Sequence, residues 1–127
     1  MLITHDIKID IATGSGRNAT SWKNESPLWS AIVKKLSQTH YTHETVAQYN
    51  KMDKAKQSEI KDIGGFVGGA LAGGKRKMNA VTHRQLLTLD MDFADPKAWE
   101  IFTLLYDCAA LVYSTHKHTP ELPRLRL

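Results

Sequence analysis

Ile3, Ile7, Ile9 and Ile11 alternate with Thr4, Asp6, Lys8 and Asp10. That two-residue period predicts a half-buried strand over Ile3–Ile11. Residues 12–25 are rich in Gly, Ser and Asn and read as a loop. Ser26-Pro27 pairs an N-cap with a proline at the first helical position, opening a helix to about Ser37 whose apolar stripe is Leu28, Trp29, Ile32, Val33 and Leu36. From His43 to Lys61 the chain is polar and lysine-rich, predicting one or two exposed short helices broken near Asp53. A second strand is expected over Gln85–Phe93, with Leu89, Met91 and Phe93 toward the core. Asp95-Pro96 repeats the cap-plus-proline device and predicts a helix to about Asp107, with Trp99, Phe102 and Leu105 on one face. A third strand is expected over Ala109–His116, a turn at Thr119–Pro123, and a further strand from Arg124 to Leu127. This order is that of an α+β fold, a mixed or largely antiparallel sheet with helices packed on one side.

Length adds that 127 residues make one domain at most, so residues 1–127 are taken as a single domain. No apolar run approaches the roughly 20 residues that cross a bilayer, and no secretion pattern opens the chain, so no membrane partner is expected. The one cysteine, Cys108, excludes an internal disulfide and fits a reducing compartment, which points to the cytoplasm. A net charge of +4 is modest, but the cations cluster at Lys75-Arg76-Lys77 and at Arg124 and Arg126, which is compatible with a polyanionic partner.

Candidate chemistry gathers in the second half. Asp90 and Asp92 share a strand face, and two carboxylates two residues apart can share a hard divalent cation, Mg²⁺ or Mn²⁺. Two surface acids on a half-solvated strand are the plainer explanation, but strand ends before a capped helix commonly carry sites. His116 and His118 also share a face, and Arg124 and Arg126 have the same parity. If the intervening turn is tight, the arginines return beside the histidines and Lys117 next to the acids, a triphosphate site in outline. Ordinary edge-strand charges are the competing account of the arginines. Residues 62–74, DIGGFVGGALAGG, hold six glycines and lead into Lys75-Arg76-Lys77. The order Gly-X-X-X-X-Gly-Lys-Ser/Thr fails, so this is no P-loop. A basic loop touching a nucleic-acid backbone and a plain surface hairpin stand level.

Three stretches in this order, KDIGGFVGGALAGGKRK (61–77), RQLLTLDMDF (84–93) and VYSTHKHTPELPRLRL (112–127), resemble the archaeo-eukaryotic primase–polymerase superfamily. The resemblance is to primase-like domains at the N-terminus of phage, prophage and plasmid replication proteins. It implies that Asp90 and Asp92 bind divalent metal and that a small-X-His motif contacts the incoming nucleotide. Ser114-X-His116 fits that motif, and His118 is the other candidate; the sequence does not separate them. The reaction implied is nucleotidyl transfer in DNA replication, from nucleoside triphosphates on a single-stranded DNA template. A replicative helicase domain is the partner implied in a full-length protein.

The superfamily's third metal-binding acid, on a later strand, has no counterpart before Leu127. The domain is therefore expected to be incomplete, with activity in doubt. An open strand edge at Arg124–Leu127 would invite pairing with a second copy. Two other function classes stay in play: a catalytically inactive nucleic-acid-binding remnant of the same fold, and a metal-dependent nuclease or phosphohydrolase.

Overall fold

The computed structural model describes residues 3–127. The chain divides into two compact units, one ending at Leu86 and one running from Leu87 to Leu127. Its secondary structure is α+β, with antiparallel strand pairs throughout. Among the described residues the strands form three small sheets in place of the single sheet expected.

In the first unit, β1 (Ile11–Gly14) lies between β2 (Lys23–Glu25) and β3 (Gly65–Val67). The alternating stretch before it is not laddered beyond an isolated bridge from Lys8 to Leu28, although Ile9 and Ile11 are buried as their spacing predicts. The strand instead occupies the start of the expected loop, because β1 is buried on both faces and central strands of that kind show no alternation. Ile11 packs with Ile9 and Ile32, the latter on α1 (Trp29–Leu36), while its neighbour Ala12 packs with Trp22, Leu71 and Ala80. Phe66 and Val67 of β3 divide between the same two clusters.

The second cluster partner is a hairpin, β4 (Gly69–Leu71) against β5 (Val81–Arg84). A 3₁₀ turn at Ala72–Gly74 leads out of it, with Gly73 and Gly74 at φ 62° and 61°, backbone that favours glycine. The Asn24 side-chain amide stands in for a strand neighbour, donating to Leu71 O and accepting from Leu71 N, both at 2.9 Å.

α1 begins without the expected cap. Ser26 Oγ donates to Asp10 instead, at 2.5 Å, and the helix N-terminus is served by Asp6, whose carboxylate accepts from Ser30 N at 2.8 Å and Ser30 Oγ at 2.6 Å. These bonds hold the carboxyls of Asp6 and Asp10 below their ordinary range, Ser30 and Ser26 being the main causes, with His83 also lowering Asp10. A depressed carboxyl contributes stability above its unfolded value of 3.8 that disappears as pH falls through the lower folded value. Asp6→Asn should therefore flatten the loss of thermal stability below that pH; an unchanged acid limb in a melting series would show that Asp6 is not holding the helix.

The polar segment forms α2 (Val46–Lys51) and α3 (Lys54–Ile60), broken where predicted. Thr45 and Gln48 make a reciprocal capping box, and Asp53 caps α3 by accepting from Lys56 N at 2.8 Å. Gln57 Nε2 donates to the carbonyls of Tyr49 and Met52, both at 3.0 Å, which joins the two helices.

The second unit holds β6 (Asp90–Met91), α4 (Ala98–Leu105), β7 (Tyr113–Ser114) and β8 (Leu125–Arg126). Its sheet order is β6-β8-β7, so the last strand is the middle one, hydrogen-bonded on both sides. The edges are β6 and β7, not the Arg124–Leu127 edge the sequence suggested. β6 is much shorter than the expected Gln85–Phe93: Gln85–Leu89 lie outside any strand, Asp92 and Phe93 enter a turn, and Leu89 and Phe93 are exposed instead of facing a core. Asp95 sits just ahead of α4, accepting from Lys97 N at 2.7 Å and, through its carbonyl, from Ala98 N at 2.9 Å. No α4 residue is fully buried.

Candidate functional site

Register in the second unit decides which side chains meet. Asp90 stands opposite Arg126 and Met91 opposite Leu125. Residues directly opposite in an antiparallel pair share a face, so Asp90 and Arg126 lie on one side and Met91 and Leu125 on the other. The contacts follow: Arg126 Nε donates to Asp90 at 2.6 Å, and Arg124 Nη1 to Asp92 at 3.0 Å. The two acids and two arginines singled out from parity therefore form one ladder of alternating charge. Asp90 and Asp92 remain 66% and 72% exposed.

Aromatic rings brace the cations. Tyr113 faces Arg126 across the β7–β8 pair, and the Arg124 guanidinium lies 5.1 Å from the Phe93 ring centroid. Arg126 is held more firmly protonated than an ordinary arginine, chiefly by its bond to Asp90, with burial opposing and a bond to Tyr113 adding. Sequence reasoning missed both rings. Tyr113 was legible from parity once its partner was known; Phe93 was hidden by its place in an apparently alternating strand.

The remaining candidates divide. Ser114 pairs with Leu125, which sets it on the face opposite the acids. The chain then turns: His118 N donates to Thr115 O at 2.9 Å, leaving His116 and Lys117 as the turn's central residues. His118 returns toward the sheet, and its Nδ1 accepts from Arg124 N at 3.2 Å. His118 thus has a bond to the ladder's backbone. Lys75, Arg76 and Lys77 belong to the first unit, where all three are exposed and Arg76 lies 5.4 Å over the Trp22 ring.

The donor set suits a loosely held cation. Mg²⁺ commonly takes one or two carboxylates and completes its shell with water and phosphate oxygens, and Asp90 and Asp92 are of that kind. A cage made by the protein alone is a different matter: among the described residues no group of three or more His, Cys, Asp or Glu is placed to hold a metal. No described helix is long and apolar enough to cross a membrane.

No curated protein and no solved structure matches this chain. The sequence model described as the VapE N-terminal domain does match, over residues 1–127. The match agrees with a phage- or plasmid-type replication-associated protein. With the whole of its length covered, the chain belongs to the VapE N-terminal domain family.

Proposed function

We propose that this domain binds a nucleoside triphosphate with Mg²⁺ or Mn²⁺ and serves nucleotidyl transfer in a phage- or plasmid-type DNA primase–polymerase. Asp90 and Asp92 take the cation; Arg124 and Arg126 take the phosphates. The observation that carries the reading is the alternation of two exposed carboxylates and two guanidiniums on one face of the β6–β8 pair. Solvent-exposed ion pairs are worth about 0–1 kcal/mol each, so the ladder opens at little cost. With a triphosphate and its cation present, Arg124 and Arg126 would pair with phosphate oxygens, and Asp90 and Asp92, released from them, would hold the metal. Bidentate geometry favours arginine for this role. The test is thermal melting with cation and triphosphate together, which should raise Tm where the cation alone does not.

A second reading is a nucleic-acid-binding module without catalysis. It is favoured by the engagement of both carboxylates with arginine and by the exposed Lys75–Lys77 run. On this reading Lys75→Ala, Arg76→Ala and Lys77→Ala together weaken single-stranded DNA binding. The log–log salt slope should drop by about 2, the share of three lost phosphate contacts. Fluorescence anisotropy across a salt series checks this, and an unaltered slope removes these residues from the interface.

A further inference from the structure

In the second unit a cavity of about 350 Å³ opens among Pro96, Trp99, Ser114, His118, Pro120 and Leu125. Ser114 and Leu125 place it on the face of the sheet opposite the Asp–Arg ladder. Its volume falls in the range of small-molecule sites, and so does its make-up, apolar and aromatic walls with few polar groups.

We infer that this cavity takes the base of a nucleoside, stacked on Trp99 and hydrogen-bonded along its edge by His118 and Ser114. Three features support that occupant. The Trp99 ring is already stacked on Phe102, with centroids 5.9 Å apart and planes 14° from parallel, so it presents a held, flat surface. Bases stack on such surfaces whatever their sequence, because each has a π-face. The second feature is a tautomer. Arg124 N–H donates to His118 Nδ1, so the neutral imidazole carries its proton on Nε2 and offers a donor there. The third is Ser114 Oγ, which has no hydrogen-bond partner among the described residues and can both donate and accept. A flat ring with an edge of mixed donors and acceptors meets all three. Arg124 belongs to both faces, its backbone N–H fixing the His118 tautomer and its guanidinium reaching Asp92.

The inference stands apart from the ladder reading, because one nucleotide does not reach both faces of the sheet: the cavity is a second, nucleoside site, and phosphate-free ligands separate the two. Adenosine and cytidine at millimolar concentration, without metal, are expected to shift the Trp99 indole N–H resonance and to give contacts between ligand ring protons and that indole. Asp90→Asn with Asp92→Asn should leave this binding unchanged. His118→Ala should weaken it about tenfold, the equivalent of one hydrogen bond, and Ser114→Ala should weaken it less. If neither nucleoside moves the Trp99 indole of the unaltered chain, the base subsite is wrong, whatever triphosphate and metal do at the ladder. Nucleoside binding with no triphosphate-and-metal effect would leave the cavity standing and remove the ladder's role. Binding that survives His118→Ala undiminished would overturn the hydrogen-bonding assignment.

Discussion

Asp90→Asn combined with Asp92→Asn should erase the rise in melting temperature that Mg²⁺ and a nucleoside triphosphate give the unaltered chain. Ligand held at a hundredfold excess over its dissociation constant stabilises by about 2.7 kcal/mol, which for a chain of this size is roughly 8 °C. Asparagine keeps the shape of each side chain and an oxygen that Arg126 and Arg124 can still reach, while removing the charge a hard cation needs. Because the exposed ion pairs are worth so little, the melting temperature without ligand should move by only about 1–2 °C. That separation of scales makes the variant informative: a large ligand-dependent effect vanishes while the baseline stays put. A rise that persists in the double variant would sink the metal role of the two acids.

The largest structural effect is expected at Gly69. It lies opposite Arg84 in the β4–β5 pair, and a Cβ there would run into the His83 carbonyl oxygen. The obstacle is backbone, so no rotamer change relieves it. Ala70 and Leu71 already carry a register irregularity, leaving the hairpin little room for another. Gly69→Ala should force β5 away and disturb the cluster of Leu71, Ala80, Ala12 and Trp22. Overpacking and the lost ladder together should cost roughly 3–5 kcal/mol. Gly65→Ala is the matched control: a Cβ there meets nothing within 4 Å, so a change within about 0.5 kcal/mol is expected. Urea unfolding followed by tryptophan fluorescence checks both, and equal midpoints for the two variants would contradict the close approach.

The sequence by itself determined what neighbouring residues decide among themselves. The break between α2 and α3 at Asp53 was legible because a cap acts within one turn. The shared parity of Asp90 with Asp92 and of Arg124 with Arg126 was legible because a strand has a fixed period, and the ladder follows from it. The α+β order was visible for the same reason. Only the tertiary structure decided the rest. β1 escaped notice because burial on both faces erases alternation, and α1 takes its capping carboxylate from Asp6, on the far side of the expected loop. Strand order put β8 in the middle of its sheet and left its expected edge paired. Register put Ser114 on the face away from the acids, and the turn at His116 and Lys117 brought His118 to the Arg124 backbone N–H. In each case the outcome hung on which distant segment arrives alongside, and periodicity within one stretch carries no information about that.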